Sequence, residues 1–226
     1  MNILQYLQQT QNLSRRNIVD LIKIWKILVN SEKIESFKHP LSVGDTIKIA
    51  DKQLSVQQLK EEKKLILFNK PKGYVVSKSD PHNTTIYEIF PPEFQSYYYI
   101  GRLDKESRGL LLLTNNPEIV HQYEHPKFNI QKEYLIQLSF PLSPSDREKT
   151  KIWITDEGDL LKFKSISPTS QKNQYSVTLS EGKKHHIRRV IKALHNEVVD
   201  LQRIKEGEYL LGDIQEWKRK EIILDS

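Results

Sequence analysis

The sequence predicts an α+β protein with a mostly antiparallel sheet, and three observations carry that expectation. Strand-like apolar runs crowd the chain from Leu65 onward. Amphipathic helical segments stand near both ends of the chain. The helices are interspersed among the strands and do not follow every one, as a parallel α/β sheet would require.

Two helical segments come first: Ile3, Leu4 and Leu7, then Ile18, Leu21, Ile22 and Trp25, the last four at i, i+3, i+4, i+7. Ser14 is placed to cap the second. Its other side carries Arg15, Arg16, Lys23 and Lys26. Cations at a helix start oppose the macrodipole, so their placement hints at an anionic ligand. Short strands are expected at 26–30 and 46–49, the latter behind a Gly44-Asp45 turn. Residues 1–50 thus read as a small module. Residues 51–64, DKQLSVQQLKEEKK, are polar and aperiodic and read as a linker.

The remaining residues, 65–226, read as the larger domain. Its expected strands are LILFN, GYVVS, YYYI, GLLLL, EYLIQLSF, KIWIT, LLKFKSI and QYSVTLS. Asn116-Pro117 is a cap and first-turn pair for a helix ending before Pro126. A second helix is expected from about His185 to His195, with Ile187, Val190, Ile191 and Leu194 on one face.

At 226 residues and 37% hydrophobic content, with aromatic residues spread throughout, the chain can bury a real core. It has no cysteine, which removes disulfides, thiolate metal sites and thiol nucleophiles. Its net charge of +6 suits a polyanionic partner, and equally a merely soluble surface. No apolar run approaches the roughly 20 residues of a membrane span. MNILQYLQQTQ lacks the basic flank and cleavage site of a signal peptide, so a soluble cytoplasmic protein is expected.

Within GRLDKESRGLLLLTN, residues 101–115, Asp104 lies among Arg102, Lys105 and Arg108, which would favour an ionised carboxylate. It is either a surface turn residue paired with Arg102 or Arg108, or a nucleophile or base. In EGKKHHIRRVIK, residues 181–192, a helix would align Lys184, Arg188 and Lys192 at i, i+4, i+8 as a phosphate clamp or a solvated basic face. The two histidines would point to different sides, and no metal site is expected. Alternation in KEYLIQLSF places Tyr134, Ile136 and Leu138 on one side of a strand, where Tyr134 is either core or a stacking surface for a splayed base.

Together these segments resemble the pseudouridine synthases of bacterial small- and large-subunit ribosomal RNA. GRLDKESRGLLLLTN is similar to the family's G-R-L-D-[KR]-[DE]-[TS]-x-G-L-L-L-[LF]-T-N, which puts its essential aspartate on Asp104. NKPKGYVVS resembles N-K-P-x-G, and HPKFNIQKEYLIQL resembles the segment that carries the family's tyrosine, here Tyr134. EGKKHHIRRVIKALHNEVVDLQRI resembles the arginine motif and assigns Arg188 to the active site. LSRRNIVDLIK and GDTIKI resemble an αL-type RNA-binding domain shared with a ribosomal protein.

The resemblance implies that residues 1–50 bind RNA and that 65–226 form the catalytic domain. Asp104 would then act at the sugar of a flipped uridine in ribosomal RNA, with no cofactor. Tyr134 would stack on the base and Arg188 would pair with Asp104 and a phosphate. Arg102 would buttress the loop or assist flipping. Arg15, Arg16, Lys23, Lys183, Lys184 and Arg189 would hold the RNA backbone. A monomer is expected. The rival expectations are an inactive RNA-binding assembly factor on the same scaffold, or the same reaction on tRNA. The sequence departs from the family at Trp25 and Asn30-Ser31, where Gly and Asn-Gly are usual. It also departs at His186, in place of Gln, and at EGEYL, 206–210, in place of I-G-P-L.

Overall fold

In the computed structural model, which describes residues 1–11, 13–57 and 62–224, the chain divides into two units, Met1–Glu61 and Glu62–Ser226. The first opens with α1 (Ile3–Gln11) and α2 (Arg15–Lys23). The Ser14 hydroxyl accepts the Asn17 N–H at 3.1 Å, satisfying one of the free donors of the first turn. Ile18 and Ile22 turn inward with Ile3, Tyr6 and Leu7, while Arg15, Arg16 and Lys23 stay exposed. Four antiparallel strands complete the unit: β1 (Ile27–Val29), β2 (Glu32–Lys33), β3 (Thr46–Ile49) and β4 (Lys52–Ser55), in the order β2-β1-β3-β4.

β4 corrects part of the expected linker, because residues 52–55 pair in register with β3. Lys63 and Lys64 likewise already belong to the next strand. Residues 58–61 of that expected linker lie outside the described residues. The polar composition misleads because β4 is an edge strand, whose outward side chains are free to be charged.

Asn30 and Ser31, joining β1 to β2, both take left-handed φ values, 50° and 70°, as a primed hairpin turn needs. Ser31 adopts this without being glycine. The Asn30 side chain supports the turn by donating to Asp45 Oδ1 at 2.8 Å and accepting from the Thr46 N–H at 2.9 Å. Trp25 also sits at a positive φ, 57°.

The second unit is built on a sheet of nine strands. In chain order its elements begin with β5 (Lys63–Lys70), α3 (Ile86–Ile89), β6 (Tyr98–Ile100), β7 (Arg108–Thr114), α4 (Pro117–Glu124) and β8 (Lys132–Leu138). There follow α5 (Pro144–Lys149), β9 (Ile154–Asp156), β10 (Asp159–Leu161), β11 (Ser165–Pro168) and β12 (Gln174–Leu179). α6 (His186–Ala193), β13 (Val198–Glu206), β14 (Tyr209–Leu210) and β15 (Arg219–Leu224) close the unit. The main order is β11-β12-β8-β13-β7-β5-β15, with β6 on β7 and β14 on β13, while β9 and β10 form a separate ribbon. Only β13 against β7 is parallel among the described pairings of this sheet.

The four consecutive leucines of β7 are explained by a sheet covered on both faces. Leu111 and Leu113 join Ile66 and Phe68 in one core, which receives Ile187, Val190 and Ile191 of α6. Leu110 and Leu112 join Leu65, Leu67 and Ile100 in the other, covered by Tyr123 with Ile119 and Val120 of α4. A strand buried on both faces has no need of alternation. By contrast β8 alternates as expected, with Tyr134, Ile136 and Leu138 buried.

GYVVS is not a strand. Gly73 takes φ 90° and its N–H goes to the Lys105 carbonyl at 2.8 Å, so this segment leaves the sheet for the loop that carries Asp104. KIWIT is strand only from Ile154, which leaves Ile152 and Trp153 exposed.

Candidate active site

Residues 101–107 link β6 to β7 and carry Asp104 to the mouth of a cleft of about 1600 Å³. The loop has no regular backbone pairing, so its shape depends on what grips it. Lys70, the last residue of β5, is fully buried and its ammonium donates to the carbonyls of Pro71 and Ser107, both at 2.8 Å, and of Asp104 at 3.3 Å. Three acceptors match the three ammonium protons. Burial nonetheless pulls the Lys70 amine down to about 8, against the attraction of Asp104 and Glu106. Within the loop the Ser107 N–H returns to the Asp104 carbonyl at 3.0 Å.

Arg188 grips the loop from the other side. Its guanidinium donates to the carbonyls of Glu106, at 3.2 Å, and Val198, at 2.9 Å. The expected ion pair between Arg188 and Asp104 is therefore corrected: the guanidinium holds the backbone two residues away. The side chain beside the carboxylate is instead His185, whose Nε2 lies 3.6 Å from Asp104 Oδ1. His185 precedes the first turn of α6 with a left-handed φ of 53°, which turns its side chain out of the helix path and toward the loop.

Arg108 does not pair with Asp104 either. Its guanidinium is bidentate to Asp200, at 2.8 to 3.2 Å, and Lys72 reaches the same carboxylate at 2.6 Å. Thus Asp104 is left facing the cleft, its side chain 35% exposed, and the surface-turn reading with Arg102 or Arg108 as partner fails. Arg102 stands exposed on the cleft wall with no hydrogen bond or ion pair to another described residue.

Tyr134 lines the cleft from β8 and is 6% exposed. Burial pushes its hydroxyl up, with the Arg203 guanidinium alongside pulling the other way. Arg203, on β13, is itself buried and donates through Nε to the Leu110 carbonyl at 2.6 Å. Beside it lies Glu206, the first residue of EGEYL, 3.2 Å from Arg203 Nη2 and 3.6 Å from Lys132 Nζ. The departure from an apolar residue is therefore matched by two cations that compensate the buried carboxylate.

Of the basic residues expected to meet RNA, Lys184 is exposed and free of a side-chain partner among the described residues, but it precedes α6. The expected helical stripe thus shortens to Arg188 and Lys192. Lys183 reaches Asp159 at 3.4 Å. Arg189 is spoken for: it donates to Asp156 Oδ2 at 2.5 Å, to Asp159 Oδ2 at 2.7 Å and to the Asp156 carbonyl. It ties the β9-β10 ribbon to α6 and presents no free guanidinium to a phosphate. His186 serves the same join, its buried ring 3.1 Å from the Lys162 carbonyl, and desolvation lowers its proton affinity.

Sequence reasoning missed Lys70, His185 and Arg203. Lys70 lies in the NKPKG motif, where a lysine closing an apolar strand was a usable signal. His185 and Arg203 had none, since their partners are 81 and 93 residues away in the chain.

Residues 64–193 match the RNA pseudouridylate synthase family. The ribosomal small subunit pseudouridine synthase A of Haemophilus influenzae is 30% identical over 220 residues, 94% of this chain and 91% of that protein. The ribosomal large subunit pseudouridine synthase B of Buchnera aphidicola is 31% identical over 212 residues, 88% of this chain and 80% of that protein. Among solved structures, a crystal structure of a pseudouridylate synthase superposes with a TM-score of 0.66 at 27% identity, covering 98% of this chain and 96% of its own.

Proposed function

We propose that this chain, which belongs to the RNA pseudouridylate synthase family, isomerises a uridine of ribosomal RNA to pseudouridine. The reaction breaks the N1–C1′ bond, turns the uracil, and joins C5 to C1′ while C5 gives up its proton. One nucleotide enters and its isomer leaves, so no atom or electron has to be supplied.

The observation that carries the reading is the placement of Asp104. Its carboxylate faces a cleft also lined by Tyr134 and Arg188, on a loop gripped by Lys70 and by Arg188. A carboxylate beside C1′ can add to the sugar carbon or take a sugar proton, and either task needs the ionised form. Tyr134 stacks on the uracil, offsetting part of the few kcal/mol lost when the base leaves its stack. Arg188 acts as a positioning residue, because it sets the loop without touching the carboxylate. Arg102, without a hydrogen bond or ion pair among the described residues, is placed to meet a phosphate or fill the space the flipped base leaves.

Residues 1–61 add RNA affinity through Arg15, Arg16 and Lys23, and the larger unit through Lys183 and Lys184. The protein works in the cytoplasm as a monomer, without a cofactor. The test is to map pseudouridines in total RNA from cells with and without the gene. A site lost from one subunit's ribosomal RNA names the target. A site lost from tRNA would move the substrate, and no lost site would overturn the reading.

A further inference from the structure

Trp153 is half exposed, at 51%, whereas Tyr123, Tyr134 and Phe163, which line the same cleft, are buried. It stands just before β9, on the cleft wall, and the Lys162 ammonium lies 4.1 Å from the ring centroid. A cation thereby covers part of the indole, and about half of the residue stays exposed. The platform is tied together by backbone bonding: the Phe163 N–H bonds the Thr150 carbonyl at 2.7 Å, joining the segments that carry Trp153 and Lys162. His186 holds the Lys162 carbonyl, and Arg189 holds both strands of the ribbon.

The surroundings select the occupant. Lys162, Lys164 and Lys184 line the same cleft without a carboxylate partner among the described residues, so an anionic ligand is favoured over an apolar protein surface. An aromatic face amid unpaired cations matches single-stranded nucleic acid, whose bases stack and whose phosphates pair.

Building on the synthase reading, we propose that Trp153 is a stacking platform for a nucleobase flanking the target uridine. When the target leaves the helix its neighbour loses a stacking partner, and the exposed part of the indole replaces it. Every base has a π-face, so the platform adds affinity and holds the strand in place without choosing its sequence. The part of Arg189 in RNA binding is then indirect: it fixes the ribbon that presents Trp153.

The test uses the full-length protein carrying Trp25→Phe and Trp217→Phe, which leaves Trp153 as the only tryptophan. Its fluorescence is followed on titration with a single-stranded oligouridylate and with an abasic ribose-phosphate oligomer of equal length. Quenching by the oligouridylate and little by the abasic strand is expected. Trp153→Ala in the natural background should weaken oligouridylate binding roughly 5- to 150-fold, the equivalent of about 1–3 kcal/mol for one stacked base, and Trp153→Phe only a few-fold. Equal responses to both strands, or unchanged affinity in a Trp153→Ala protein that unfolds like the parent, would overturn the proposal. Should Trp153→Ala fail to fold, the fluorescence comparison still decides. Both readouts are binding, so a protein that stacks RNA on Trp153 yet makes no pseudouridine would sink the enzymatic reading alone.

Discussion

The Lys70 ammonium lies 3.3 Å from the main-chain carbonyl of Asp104 and 2.8 Å from that of Ser107, so a fully buried cation at the end of β5 fixes both flanks of the residue that faces the cleft. Burial holds this amine near 8, below the 10.5 of a free lysine. Between those values the unfolded chain carries more protons than the folded one, so stability rises with pH across that window. Below about 8 the cost of burying the charge is fully present. Lys70→Met removes the titration and leaves three carbonyls without their donor. The wild-type advantage over Lys70→Met in urea unfolding should therefore grow by about 2 kcal/mol between pH 7.5 and 9.5. A difference that is flat or shrinks would show that Lys70 is not held as described.

Gly109 begins the buried part of β7 at the parallel contact with β13, and its φ is 104°. A Cβ there would lie 2.3 Å from the Arg203 carbonyl oxygen and 2.7 Å from its nitrogen, both backbone atoms that cannot swing aside. Gly73 has a similar φ of 90° with open space around it. Gly73→Ala should cost about 1–2 kcal/mol for the backbone conformation alone. Gly109→Ala should add about 1–3 kcal/mol of overpacking to that, read as a larger drop in thermal midpoint. Equal midpoints for the two variants would contradict the close approach.

Much of this architecture was legible from local pattern. The i, i+3, i+4, i+7 spacing located α2 and α6, the Asn116-Pro117 pair located α4, and alternation put Tyr134 inside. These signals work because burial of one face is decided within a few residues. GYVVS failed because its backbone bonds go from Gly73 to Lys105, some thirty residues on, and between Val75 and the segment at Thr84–Ile86, and not to a neighbouring strand. β4 failed because an exposed edge strand needs few apolar side chains. Asp104 was legible as a candidate, yet its ion-pair partner was not. Arg188 stops at the carbonyls of Glu106 and Val198, and the left-handed turn at His185 brings an imidazole to the carboxylate in its place.

The basic residues around α6 separate into two kinds that salt can distinguish. Lys184 has no side-chain partner among the described residues, so Lys184→Gln should reduce the slope of log affinity against log salt for single-stranded RNA by about 0.7. Arg189 is occupied by Asp156 and Asp159. Arg189→Gln should leave that slope unchanged and instead speed amide hydrogen exchange in β9 and β10. A slope change in Arg189→Gln as large as that in Lys184→Gln would restore Arg189 to the list of phosphate contacts.

The most direct measurement concerns Asp104 itself. Forming the C1′–C5 bond expels the hydrogen on C5, so ribosomal RNA tritiated at C5 of its uridines releases label to water only where pseudouridine is made. Asp104→Asn keeps the size and polarity of the side chain while removing its charge. The wild-type protein should release tritium, and Asp104→Asn should release it at least about 100-fold more slowly with RNA affinity and thermal midpoint preserved. Release by Asp104→Asn at the wild-type rate would contradict the catalytic assignment.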